Sequence, residues 1–157
     1  MKYICFDLST SESGWALFDK KKVIQTGTIK ASSVLDRGER VVYMAHEMMR
    51  LVMRFKCDEM ITEDIYMNPG MFTAFAALSE LKGAVLYAYH QIRLRPPITF
   101  MASHARSRVG LPARGKKSEI IKGLWEEYQI KVPNDHIADA VVLGLAYQKD
   151  LDENPEA

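Results

Sequence analysis

The chain reads as an α/β protein: a five-stranded mixed sheet, its first three strands an antiparallel meander, with helices on both faces. Three observations predict this. The apolar patterns follow the order βββ-α-β-α-β-α-α-α, the first three strand-like runs are joined by short polar segments, and two long stretches repeat apolar residues at helical spacing. The 157 residues are 48% hydrophobic and 26% charged, with 9 Gly and 6 Pro. That suffices for a packed core and excludes collagen-like, disordered and disulfide-scaffold classes. Residues 1–149 read as one domain without linker or repeat, and 150–157 as a frayed acidic tail.

Residues 3–8 form a short apolar run broken by Asp7, a buried strand with one carboxylate near its end. Residues 14–19 are a second strand, and the turn at Asp19-Lys20-Lys21-Lys22 leads into a third over 23–29. Residues 36–56 place Val41, Val42, Ala45, Met48, Met49, Val52 and Met53 on one face and Glu39, Arg40, Glu47, Arg50 and Arg54 on the other, an amphipathic helix. A fourth strand spans 59–66 and ends at Asn68-Pro69-Gly70. Residues 73–92, apolar or small on most faces, form a long helix suited to deep burial or a partner surface. Pro96-Pro97 precedes a fifth strand over 98–101. Ser103 is placed to cap a brief helix reaching Val109. A loop over 110–115 leads to a helix over 116–128, and Asn134 caps a final helix over 135–148.

No apolar run approaches the roughly 20 residues of a membrane span. The opening Met1-Lys2-Tyr3-Ile4-Cys5-Phe6-Asp7 breaks too early for a signal peptide. Cys5 and Cys57, the only cysteines, read as reduced packing residues of a cytosolic protein.

The net charge of +1 argues by itself against a polyanionic partner, but the charge is segregated. Residues 93–122 contain Arg93, Arg95, Arg106, Arg108, Arg114, Lys116, Lys117 and Lys122 against Glu119 alone, a balance of +7, leaving −6 elsewhere. Such a stretch is either a polyanion-binding face or a solvated surface balanced from elsewhere in the fold.

Carboxylates are rare in buried strands because an unpaired buried charge costs several kcal/mol. Two strands here carry them, at Asp7 and Glu63, and a third acid, Asp139, interrupts the apolar final helix. Asp135 and His136, four and three residues before Asp139, can share its helix face. Gathered at a sheet rim, these groups would suit two Mg²⁺ ions, with Mn²⁺ able to substitute. Each has a plainer reading: an Asx turn at Asp7, an exposed strand end at Glu63, macrodipole partners at Asp135 and Asp139, a structural His136.

At these residues the chain resembles the RuvC-type Holliday junction resolvases, within the ribonuclease H-like endonucleases, from Ile4 to about Tyr147. Phe6-Asp7-Leu8-Ser9 with Ser13-Gly14-Trp15-Ala16 is similar to the family's first hairpin, Thr62-Glu63-Asp64-Ile65-Tyr66-Met67 to its second motif, and Asn134-Asp135-His136-Ile137-Ala138-Asp139-Ala140 to its closing one. The resemblance implies a ribonuclease H-like fold, catalytic residues at Asp7, Glu63, His136 and Asp139, and two-metal hydrolysis leaving 5′-phosphate and 3′-hydroxyl ends. Asp135 is the alternative to His136 as fourth ligand. Of the family's lysine pair, one falls on Lys117, beside Lys116, and the other near Arg106 or Arg108. The loop 110–117 is slightly longer than in cellular members, and a small phage-borne member fits the chain.

The resemblance further implies branched DNA as partner, four-way junctions first and forks and three-way junctions after them, in a bacterial or phage-infected host cytosol. Arg106, Arg108, Arg114, Lys116 and Lys117 are expected to meet backbone phosphates. Tyr66 and Phe72 are expected to stack on or wedge beside unpaired bases, a core aromatic being the other reading of Tyr66. Paired nicks imply a homodimer, with Phe75, Leu78 and Leu81 as candidate interface. A non-catalytic branched-DNA-binding protein and a broad fork or flap nuclease are the alternatives. The loop Gly110-Leu111-Pro112-Ala113-Arg114-Gly115-Lys116-Lys117 approaches a nucleotide-binding P-loop, but it lacks a preceding strand and has Lys117 where that motif needs a hydroxyl. Asp7-Leu8-Ser9-Thr10 also resembles the first phosphate loop of sugar kinases, which need a second domain.

Overall fold

A computed structural model describes residues 1–154. Strand β1 (Lys2–Phe6) lies at the centre of the sheet because it pairs on both sides. It runs antiparallel to β2 (Glu12–Asp19), which runs antiparallel to β3 (Lys22–Lys30). On its other side β1 is parallel to β4 (Glu59–Glu63), and β4 to β5 (Ile98–Phe100), giving the order β3-β2-β1-β4-β5. The five-stranded mixed sheet with its antiparallel meander is as expected.

The period-two alternation of a strand decides what each face meets. On β1, Ile4 and Phe6 join Met60 of β4 beneath α1 (Arg37–Arg54) and α2 (Phe72–Arg93). Tyr3 and Cys5 join Ile61 on the opposite face, under α3 (Ala102–Arg108), α4 (Lys117–Tyr128) and α5 (Asp135–Glu153). Cys5 and Cys57 are buried and unpaired, as packing residues. No helix among the described residues is long and apolar enough to cross a membrane.

Helix α1 starts where its chemistry dictates: Asp36 accepts from the Glu39 amide, and the Glu39 carboxylate accepts from the Asp36 amide, a reciprocal capping box. Asn134 caps α5 as expected, its side chain accepting from the Ile137 amide at 2.9 Å.

Three boundaries differ from the sequence reading. Strand β4 stops at Glu63 rather than residue 66, because its neighbours end there: Phe6 of β1 pairs with Thr62 and Phe100 of β5 with Glu63, and beyond them Lys82 of α2 holds the Asp64 carboxylate. Ser103 does not cap α3; Met101 occupies the cap position without a side-chain bond. Helix α5 runs to Glu153, so residues 150–153 are helical rather than frayed. Arg108 of α3 reaches across to both Asp150 and Glu153 and fixes that last turn. Residues 155–157 of the expected tail lie outside the described residues.

The α2 interface expectation is also corrected. Leu81 is fully buried against the protein's own core and Leu78 packs on the same cluster, because Leu78, Leu81, Val85 and Tyr89 form the inward stripe of α2. The apolar side chains that α2 exposes are instead Phe72, Leu86, Tyr87 and Ile92.

Candidate active site

The sheet register brings the first two acids together. Cys5 pairs with Ile61 and Phe6 with Thr62, so the next residues, Asp7 and Glu63, emerge side by side where the parallel strands end. Alternation continues Tyr3 and Cys5 into Asp7, and Ile61 into Glu63, so both carboxylates face α5. From α5, His136 Nδ1 lies 3.0 Å from Asp7 Oδ2. Asp139, one turn on, lines a small cleft with Glu63 and Arg106. Residues from positions 7, 63, 136 and 139 thus meet at one end of the sheet, as the sequence reading expected.

A glycine makes the docking of α5 possible. A Cβ at Gly14 would overlap the carbonyl and following amide of His136, groups that cannot rotate aside. Backbone contact between β2 and the first turn of α5 is what carries His136 to Asp7. The loop from β1 to β2 is itself tied closed: the Asp7 amide donates to the Gly14 carbonyl at 3.0 Å, and Ser13 Oγ bonds both the amide and the carbonyl of Ser9.

The electrostatics follow from burial beside like charge. Desolvation raises Asp7 to about 7, aided by Asp139 and Asp135. Desolvation, then the hydrogen bond and repulsion from Asp7, raise Glu63 to about 9. Both carboxyls are thus pushed toward their protonated forms and titrate as a coupled pair. Asp135 lies below the usual carboxylate range because Lys117 is bonded to it.

Most of the basic stretch is already matched by carboxylates. Arg106 pairs with Asp139 at 2.8 Å, Arg95 with Glu59 at 2.6 Å, Lys122 with Glu126 at 3.6 Å, Lys117 with Asp135, and Arg108 with Asp150 and Glu153. Arg93 donates to the Cys57 carbonyl. Arg114 and Lys116 have no carboxylate partner among the described residues. Arg108, placed among the expected phosphate contacts, is instead a clamp between α3 and α5. Sequence reasoning missed this clamp and the Lys82–Asp64 bond beside Glu63. The i,i+3 spacing of Asp150 and Glu153 hinted at a shared partner, but only the fold supplies it.

Tyr66 and Phe72 project to solvent, 67% and 72% exposed, at either end of the segment between β4 and α2, which excludes the core reading of Tyr66. Met67 and Met71 beside them are also exposed.

The donor set is oxygen-rich with one imidazole, the chemistry that hard divalent cations select. Adjacent buried carboxylates repel one another, and a bound cation would relieve that repulsion. Among the described residues, no three such side chains converge as a ready-made metal cage. Arg106 on Asp139 and Lys117 on Asp135 act as internal counterions instead. The residues fit divalent cations in chemistry, with those two cationic side chains needing to yield.

A five-stranded mixed sheet in this order with helices on both faces is a ribonuclease H-like fold, here with two strand-end acids facing a helix that carries a third. No protein-family model matches the chain. It is 26% identical over 141 residues to the crossover junction endodeoxyribonuclease RuvC of Halothermothrix orenii, covering 85% of this chain and 84% of that protein. It is also 26% identical over 153 residues to RuvC of Dictyoglomus thermophilum, covering 94% and 96%. The Thermus thermophilus RuvC structure matches with a TM-score of 0.79 over 98% of this chain and 97% of that one, at 15% identity. The same protein in complex with a Holliday junction substrate matches equally, at 0.79 over 98% and 96%. The yeast mitochondrial Holliday junction resolvase Ydc2 matches at 0.66 over 94% of this chain and 77% of that one, at 11% identity. The chain is thus similar in sequence to RuvC crossover junction endodeoxyribonucleases and similar in fold to solved Holliday junction resolvases.

Proposed function

We propose that this protein is a Mg²⁺-dependent endonuclease that resolves four-way DNA junctions. The observation that carries this reading is the meeting of Asp7, Glu63, His136 and Asp139 at one sheet end, the first two on adjacent parallel strands. Asp7, Glu63, His136 and Asp139 would hold two divalent cations, Mg²⁺ or Mn²⁺, which supply an activated water and stabilise the leaving oxygen in phosphodiester hydrolysis. His136 is favoured over Asp135 as the fourth ligand because it touches Asp7, whereas Asp135 is held by Lys117.

The protein's own groups prepare the reaction. A bound cation would favour the ionised forms of Asp7 and Glu63, against the burial that raises both. Lys117 stands on Asp135 at the site's edge, with Lys116 and Arg114 just before it in the chain, so these side chains can neutralise the approaching backbone. Tyr66 and Phe72, free in solvent, offer faces for unstacked bases, worth about 1–3 kcal/mol per base. Symmetric nicking calls for a homodimer, with Leu86 and Tyr87 the exposed apolar residues of α2 available to a partner.

The direct test is cleavage mapping with Mg²⁺ or Mn²⁺ on immobile four-way junctions, three-way junctions, forks and plain duplex. Paired nicks on opposing strands of the four-way junction are expected, with little duplex cutting. Equal cutting of forks and junctions would make it a broad branched-DNA nuclease, and tight junction binding without cleavage in either metal would make it a binding protein.

The ion-pair pattern gives a second expected result. Arg114→Gln weakens junction binding and reduces the slope of log affinity against log salt by about 0.7–0.9, one phosphate contact. Arg108→Gln leaves that slope unchanged and lowers the melting temperature, because its partners are Asp150 and Glu153. A salt slope altered equally by both would return Arg108 to the DNA-binding face.

A further inference from the structure

We propose that Arg106 is an exchangeable counterion: it holds Asp139 while the site is free of divalent cations, and cation binding releases its guanidinium to a DNA phosphate. This rests on the reading of Asp139 as a metal ligand. Three observations carry it. Arg106 Nη2 donates to Asp139 Oδ1 at 2.8 Å, so one oxygen of a ligand carboxylate is occupied by a protein cation. The pair is half-sheltered, 18% and 22% exposed, in the cleft that Glu63 also lines. Arg106 Nε is buried there with no hydrogen-bond partner among the described residues. A buried guanidinium N–H without an acceptor is a cost that the present pairing leaves standing, and a phosphate with several acceptor oxygens can satisfy it.

The exchange has a thermodynamic consequence. A cation on Asp139 and a phosphate on Arg106 each favour the state the other needs, so metal and DNA binding strengthen one another by the same factor. The neighbouring residue that could mimic this, Arg108, cannot, because it is clamped to α5. That clamp anchors α3, and with it the backbone from which Arg106 reaches either partner.

The experiment compares wild type with Arg106→Gln and Arg106→Lys, using Mn²⁺ binding by calorimetry and junction affinity against salt in EDTA or in Ca²⁺. In EDTA, Arg106→Gln binds DNA like wild type, because Arg106 is spent on Asp139. In Ca²⁺ the salt slope of wild type exceeds that of Arg106→Gln by about 0.7–0.9, one additional phosphate. Mn²⁺ binds Arg106→Gln several-fold more tightly than wild type, and Arg106→Lys lies between. Melting curves in EDTA establish that each variant is folded, and the lysine variant serves if the glutamine one is not. An equal loss of DNA affinity with and without Ca²⁺ would overturn the exchange, since Arg106 would then contact phosphate throughout. Unchanged Mn²⁺ affinity would overturn it as well. Absence of Mn²⁺ binding in wild type and variants alike would instead sink the metal-site reading beneath it.

Discussion

Asp7→Asn and Glu63→Gln are each expected to reduce junction cleavage by roughly 10³-fold or more, about 4 kcal/mol of barrier at 1.36 kcal/mol per factor of ten. The same variants are expected to gain stability when no divalent cation is present. Both carboxyls titrate higher in the folded protein than unfolded, Asp7 at about 7 against 3.8 and Glu63 at about 9 against 4.5. Between those limits the native state keeps a proton that the unfolded chain has released. Stability is therefore full at acid pH and falls as pH rises through the folded values. In EDTA, the wild-type melting temperature should drop from about pH 5 to pH 9, and Glu63→Gln should flatten that decline while melting higher at pH 8. The neutral amide keeps the hydrogen bond to Asp7 without a second charge. Chemical denaturation across this pH range, beside single-turnover cleavage, checks both halves. Variants that cleave like wild type, or a melting temperature that climbs with pH, would show that the two acids are not the paired site described.

Gly14→Ala is expected to be nearly as damaging to cleavage and much worse for folding. The new Cβ would lie on the His136 carbonyl, so α5 must withdraw or β2 must bend. Overpacking of this kind costs about 1–3 kcal/mol. A displacement of about 1 Å at reacting groups costs roughly 10²-fold in rate. Gly144→Ala is the control, because its Cβ would first meet the ring of Phe18, which pairs with Tyr3, four residues before Asp7 in the chain. It should lower the melting temperature while folded molecules cleave at the wild-type rate. Wild-type stability and rate in Gly14→Ala would show that α5 does not depend on this contact.

The comparison of these two glycines shows how far residue patterns reach. Fold class, strand order of the meander, the amphipathic α1 and the Asn134 cap were legible because each depends on periodicity or local hydrogen bonding. Asp7, Glu63, His136 and Asp139 stood out because polar groups in apolar segments demand a reason. That Gly14 faces α5 was not legible, since nothing near it in sequence hints at residue 136. The end of β4 was misplaced by three residues because its neighbours, which end at Phe6 and Phe100, set its length, and strand pairing is not written in the local pattern. Leu78 and Leu81 were misassigned because they fit either a core or an interface until the packing partner is known.

What the amino-acid sequence determined by itself is the set of elements and the acids they carry, since both follow from local periodicity and the cost of burying charge. Only the tertiary structure decided how the cations are used. The basic stretch looked like one face with a charge of +7. Folding distributes it among a clamp at Arg108, counterions at Arg106 and Lys117, and Arg114 and Lys116, whose side chains have no carboxylate partner among the described residues. Side-chain ion pairs form between groups a few ångströms apart in space, whatever their separation in the chain, and long-range pairing is a property of topology rather than composition.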